Sequence, residues 1–147
     1  VKKELDKRFP GWRFPRVDPE IGKYLTEFNR EDTHPEFITG DFDDDGRADY
    51  AALVEHGTAS LKANAVPIDM RTELVVFLKR GNTFKIYALE EAGEYIAPVK
   101  KGERGFDHET DKNFIYNTDA VFSGYWEKAG ISYVYEKGKF RIIATSD

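Results

Sequence analysis

The chain has 147 residues, with 22 Lys plus Arg against 27 Asp plus Glu, no cysteine and a net charge of −5. At 40% hydrophobic and 14% aromatic residues it is expected to build a core as one domain spanning residues 1–147, which excludes a disordered chain. The absence of cysteine rules out disulfides, thiolate metal sites and a Cys nucleophile. A mildly acidic chain without a basic stripe predicts no nucleic-acid binding, and no apolar run approaches the roughly 20 residues of a membrane span. The charge is also local. Asp41 to Asp49 hold five Asp against one Arg, and the remainder carries 22 acids against 21 bases. The sequence starts at Val1 rather than Met and shows no signal peptide, so the expectation is a mature form whose export signal has been removed.

Taken in chain order, a charged stretch from Val1 to Arg8 leads into Phe9-Pro10-Gly11-Trp12-Arg13-Phe14-Pro15. Its prolines, glycine and rings predict an irregular segment pinned on a core, with Trp12 as a plug at the core edge. Asp18-Pro19-Glu20 supplies a capping acid, a first-turn Pro and an acid near the positive helix end. Ile21, Tyr24, Leu25 and Phe28 follow at helical spacing, predicting a short helix over about Pro19 to Asn29. From residue 36 the pattern is β. A short extended piece, Glu36 to Thr39, precedes Asp49 to His56, whose scant polar alternation predicts a central strand. Thr72 to Arg80 and Thr83 to Glu90 flank Gly81-Asn82, and Ile131 to Glu136 and Lys139 to Thr145 flank Lys137-Gly138. Both dipeptides are two-residue hairpin signals. Asn113 to Tyr116 and Ala120 to Lys128 are further candidate strands, separated by Asn117-Thr118-Asp119. Leu74, Val76 and Leu78 share one strand face; Ile131, Tyr133 and Tyr135 share another; Phe140 and Ile142 stand opposite Arg141 and Ile143. Two long connections remain, Gly57 to Arg71 and Glu91 to Lys112. The expected fold class is mainly β: antiparallel sheets of hairpins, sandwich- or blade-like, with a short N-terminal helix.

The strongest motif is Gly40-Asp41-Phe42-Asp43-Asp44-Asp45-Gly46-Arg47-Ala48-Asp49-Tyr50. Counting from Asp41, acids stand at positions 1, 3, 5 and 9 and glycine at 6. Calcium takes six to eight oxygen ligands, and a loop with carboxylates at alternate positions can turn them toward one ion. The glycine permits the turn, because it accepts positive φ cheaply. Candidate ligands are Asp41, Asp43, Asp45, the main-chain carbonyl of Arg47, and Asp49, with Phe42 and Tyr50 anchoring the loop to the core. An EF-hand would need Glu at position 12, where Ala52 stands inside a predicted strand. The alternative, a solvated acidic turn, leaves the spacing and the glycine unexplained. The stretch Gly40 to His56 resembles the FG-GAP or VCBS-type repeat, whose loops bind calcium and link strands of integrin-like propeller blades. Asp44 stands where that family often has glycine. One copy does not imply a closed propeller, and the chain as a whole looks like small exported single-domain bacterial proteins with one such loop. The resemblance implies Ca²⁺ as the cofactor and a periplasmic or extracellular home.

Other signals are weaker. His34, His56 and His108 form no H-x-H or H-E-x-x-H pattern, so zinc chemistry lacks support. Asp107-His108-Glu109 reads as a solvated loop before it reads as an acid–base cluster. Ser123 has no partner that the sequence identifies. Tyr125, Trp126, Tyr133 and Tyr135 are read as cross-strand packing, with ring stacking on a sugar or a protein as the alternative. Lys100-Lys101-Gly102-Glu103-Arg104 is a basic loop able to meet an anionic partner. The resulting expectation is an exported calcium-binding β-domain, monomer or weak dimer, whose metal stabilises a scaffold for protein or glycan binding, including the case of an inhibitor of a secreted enzyme. The alternative is a small calcium-dependent hydrolase using acids such as Asp107 or Glu109.

Overall fold

The structure is a computed structural model and describes residues 1–27, 34–57, 71–125 and 128–146. Among the described residues, two helices, α1 (Lys2–Arg8) and α2 (Pro19–Glu27), precede ten strands. These are β1 (Phe37–Gly40), β2 (Asp49–His56), β3 (Arg71–Arg80), β4 (Thr83–Leu89), β5 (Tyr95–Val99), β6 (Arg104–Asp107), β7 (Lys112–Ile115), β8 (Ala120–Gly124), β9 (Gly130–Glu136) and β10 (Lys139–Ser146). The protein is mainly β, with antiparallel pairing throughout these strands. One sheet runs β1-β2-β3-β4, a second runs β10-β9-β8-β5, and β6-β7 is a separate hairpin.

The hairpin turns follow their residues. Gly81 sits at φ 57, and Lys137 and Gly138 at φ 52 and 82. Such left-handed turns match the twist of two antiparallel strands. They set the register Arg80 opposite Thr83 and Glu136 opposite Lys139. With register fixed, alternation decides the faces. Leu74, Val76 and Leu78 point into a core shared with Ile96, Val121 and Tyr133 of the second sheet, and Ile131, Tyr135 and Phe140 pack against it. Ile143 is also buried, but it lines a cavity on the other face with Arg141, beneath residues of β7.

Both sheets are covered on their outer faces as well. Outside the first sheet, Ala52, Val54, Val75 and Phe77 are buried under Leu5 of α1, together with Phe9 and Trp12. Outside the second, Tyr95 and Ala97 are covered by Ile21 and Leu25 of α2, and Val99 and Ala120 by Phe114 and Tyr116. Double coverage is why β2 shows so little polar alternation, as expected of its central place between β1 and β3.

Several expectations need correction. Lys2–Arg8 is a helix, not merely a charged lead-in. It has one buried residue, Leu5, and a Lys2–Asp6 ion pair at 2.8 Å, so it carries no apolar periodicity to read. Glu91 to Lys112 is not one long connection, because it contains β5 and β6. Pro98 disguises β5, which tolerates it as the edge strand of its sheet. The strand starting at Ala120 ends at Gly124. The expected helix end at Phe28 and Asn29, residues 58–70 of the Gly57 to Arg71 connection, and Trp126 lie outside the described residues.

If Leu5 docks α1, Leu5→Ala should cost about 2–5 kcal/mol of stability. Urea unfolding measures this, and a loss under about 0.5 kcal/mol, the range of ordinary surface changes, would mean that the helix contributes nothing to the outer core.

Candidate metal centre

The acidic motif joins β1 to β2, and its two ends are held together before any ion is considered. Gly40 pairs with Asp49 across the strands, and the Thr39 hydroxyl donates to the Asp49 carbonyl at 2.9 Å. Inside the loop, the Asp41 carboxylate accepts the N–H of Asp45 at 3.0 Å and of Gly46 at 2.8 Å. Asp45 accepts the N–H of Arg47 at 2.9 Å. These short side-chain-to-backbone bonds curl the chain as Asx turns do. Asp44 and Gly46 take the left-handed conformations, at φ 57 and φ 84. Asp is among the few side chains that accept such a φ, which accounts for an acid where glycine was the alternative.

Phe42 is fully buried in the core between the sheets. A Cβ at Gly40 would stand 2.7 Å from the Phe42 ring, so glycine there makes room for the anchor. Tyr50 instead points to the opposite face, where it stacks on Phe37 with ring centroids 5.8 Å apart. The two flanking aromatics therefore fix the loop from opposite sides of the sheet.

Asp49 is fully buried. Its carboxylate accepts the N–H of Phe42 at 2.9 Å and the N–H of Lys79, on β3, at 2.8 Å. Burial nevertheless pushes its carboxyl up to about 6, with repulsion from Asp43 adding to the push and the two backbone N–H groups opposing it. Asp41 is raised too, first by desolvation, with Asp45 and Asp43 repelling it. Asp43 goes the other way. Burial works against its charge, but the hydrogen bond and the charge of Arg80 hold it below the ordinary range.

One carboxylate oxygen from each of Asp41, Asp43, Asp45 and Asp49 lies within 4.8 Å of the other three. Oxygens around one Ca²⁺, at about 2.3–2.6 Å from it, are at most roughly 5 Å apart, so this cluster can hold a metal ion. Asp43 tests the fit. Its side chain is 5% exposed, its Oδ2 accepts from Arg80 at 2.6 Å, and its Oδ1 is buried with no hydrogen-bond partner. An orphaned buried carboxylate oxygen is costly, and a cation is the partner it lacks. Arg47, the remaining candidate, is exposed, and its main-chain N–H closes the turn on Asp45.

Three residues outside the motif reach this site, and of these the sequence marks only Lys101, as part of the basic loop. Arg80 ends β3 and reaches Asp43, with Asp45 Oδ2 at 3.8 Å. Asp119, in the polar break before β8, accepts the Asp41 N–H and the Lys101 N–H, both at 2.9 Å. The Lys101 ammonium meets both Asp44 oxygens at 3.0 and 3.1 Å. The basic loop thus folds onto the acidic one.

The other candidates are not gathered there. His56 lies at the end of β2 beside Glu73 at 3.3 Å, His34 bridges to Phe37, and His108 rests edge-on to the Phe106 ring. Asp107 accepts the N–H groups of Glu109 and Thr110, closing the β6–β7 turn. It borders a cavity of about 260 Å³ with Lys112 and Arg141, and it is the only carboxylate among the residues that line it. The Ser123 hydroxyl accepts the Gly93 N–H at 2.7 Å. Tyr133 is buried, Tyr135 packs on Tyr87 and Phe140, and Tyr125 is exposed. A groove of about 470 Å³ opens between α2 and the β6–β7 hairpin, lined by Tyr24, Phe106 and Phe122 beside Arg104 and Asn113. Among the described residues, no helix is long and apolar enough to cross a membrane.

Comparison with protein-family models, curated proteins and solved structures finds no match to this chain. The centre is therefore characterised by its own residues.

Asp49→Ala removes the acceptor of both the Phe42 and the Lys79 N–H. With chelator present it should still lower unfolding stability by about 1–3 kcal/mol, the cost of stranding a buried donor. Urea titration in EGTA checks this.

Proposed function

We propose that this protein is an exported calcium-binding β-domain in which Ca²⁺, held by Asp41, Asp43, Asp45, the Arg47 carbonyl and Asp49, stabilises a scaffold for protein or glycan binding. The observation that carries the reading is the Asp43 Oδ1 atom, buried and unpartnered among three further carboxylates. Four acids gathered at a half-buried turn repel one another, and each raises the cost of ionising the next. A divalent ion supplies two charges at once, and it would favour the ionised forms of Asp49 and Asp41, whose carboxyls burial and repulsion push up. The oxygen-only donor set suits a hard cation. Calcium, with its flexible geometry, fits a loop of backbone turns better than Mg²⁺, which demands near-octahedral geometry and keeps its waters.

The loop's resemblance to an FG-GAP or VCBS-type repeat supports the same ion. A site of this kind suits the periplasm or the extracellular space, where binding modules work at about 10⁻⁴–10⁻³ M calcium. The surface suited to a partner is the groove beside α2, whose rings and polar groups resemble those that seat sugars or peptides. It is tied to the acidic loop through Asp119 and the turn at Lys101. The hydrolase alternative asks for converging acids, and the Asp107 cavity is lined by that one carboxylate together with Lys112 and Arg141.

At ten times its dissociation constant, Ca²⁺ should add about 1.4 kcal/mol, or roughly 3–6 °C in a domain of this size. Melting curves in CaCl₂, MgCl₂ and EGTA measure the separation, and identical curves in CaCl₂ and EGTA would refute the reading. Asp45→Ala, which alters an exposed ligand without stranding a buried donor, should abolish the calcium shift and leave the EGTA curve close to wild type.

A further inference from the structure

The guanidinium of Arg80 stands where a positive charge is most needed in the ion-free loop. It donates to Asp43 Oδ2 at 2.6 Å and lies 3.8 Å from Asp45 Oδ2. Asp43 and Asp45 are both candidate ligands, so the guanidinium and an entering cation draw on the same two carboxylates. Asp43 itself is split between them: one oxygen is taken by Arg80, and the other is buried and free.

We propose that Arg80 is a tethered counter-cation that holds the ion-free loop in its folded shape and sets the affinity and charge selectivity of the metal centre. The inference rests on the calcium reading above. Arg80 comes from the end of β3, 37 residues from Asp43, and its position is fixed by the β3–β4 hairpin. There Gly81 holds the left-handed turn next to it, and the Lys79 N–H is bound by Asp49. The cation is therefore delivered by the same strand that anchors the floor of the loop. With no metal, it offsets repulsion among carboxylates crowded within 4.8 Å. When a metal enters, its charge opposes that of Arg80 across a few ångströms, so part of the ion's binding energy goes into weakening an existing pair.

Two consequences follow. Affinity is held below what the four carboxylates would give alone. A monovalent ion brings no more charge than the guanidinium already there and gains little by entering, whereas a divalent ion outweighs it. Arg80 is in this sense a selectivity residue, acting through charge on the ligands and not by coordinating the metal.

Calorimetric titration of wild type, Arg80→Gln and Arg80→Lys with CaCl₂, together with melting in EGTA, tests this. Arg80→Gln should bind Ca²⁺ roughly three- to tenfold more tightly, the size expected from removing one charge near a divalent ion in a partly exposed site. It should also melt lower than wild type in EGTA. Arg80→Lys keeps the charge and loses the fork, so its affinity should fall between the two. Competition by 0.1–0.5 M NaCl against KCl-free buffer, at ionic strength balanced with choline chloride, should weaken Ca²⁺ binding more in Arg80→Gln than in wild type. Unchanged or weaker binding in Arg80→Gln, where wild type binds, overturns the counter-cation role and leaves the calcium reading intact. Absence of binding in both overturns both. If Arg80→Gln folds only when Ca²⁺ is added, the proposal is supported, and if it folds in neither state, the Arg80→Lys titration decides.

Discussion

The constraint on which this structure turns is the buried carboxylate of Asp49. It begins β2 and accepts N–H groups from Phe42 and Lys79, so one side chain ties the acidic loop, the central strand and the next strand together. A carboxylate without access to water is expensive, and here the cost is offset by two backbone donors in fixed positions. Burial drives its carboxyl up to about 6, and the repulsion of Asp43, brought against it there, adds to the push. The fold thus crowds carboxylates at a point where a metal ion could bind. Moving Asp49 to a solvated position would relieve the repulsion and would also leave the Phe42 and Lys79 N–H groups without their acceptor.

Around that point the loop is fixed from four directions. Phe42 enters the inter-sheet core and Tyr50 joins the outer aromatic layer. Asp119, in the break that leads into β8 of the other sheet, holds the Asp41 N–H. Arg80 and Lys101 bring positive charge from elements distant in sequence. The loop is therefore not a surface excursion that happens to be acidic. It is a junction between both sheets, and a change in its charge is felt in the β5–β6 turn through Lys101 and in β3 through Lys79 and Arg80.

What was legible in the sequence was what local chemistry decides. Gly81-Asn82 and Lys137-Gly138 require turns whichever strands flank them, so the hairpins and their registers could be read directly. Asp41, Asp43, Asp45 and Asp49 could be grouped because acids at alternate positions in nine residues, with glycine inside to permit the turn, can be brought to one point. Illegible were features that exist only once the sheets face each other. Nothing local marks Asp119 as a partner of Asp41, 78 residues away, or Lys101 as a partner of Asp44, 57 residues away. Helix α1 hides for a related reason: its single anchor, Leu5, acquires meaning only from the apolar outer face of β2 and β3 beneath it. Strand β5 hides because Pro98 argues against a strand unless the edge position is known.

Charge balance joins these observations into one argument. The window Asp41 to Asp49 carries −4, counting Arg47. Arg80 on Asp43 and Lys101 on Asp44 bring two positive charges to it, Asp119 on the Asp41 N–H brings one negative, and the assembled junction carries −3. That residue of charge is concentrated where Asp43 Oδ1 lacks a partner and where Asp41 and Asp49 resist ionisation. Protons can remove it only by neutralising carboxylates, and the two whose carboxyls are raised, Asp41 and Asp49, accept backbone N–H groups. A monovalent ion removes one unit of it. On the proposed reading a divalent ion removes two units at once and leaves those carboxylates ionised, so how much charge the ion must bring depends on how many lysines and arginines the fold has already brought to the loop.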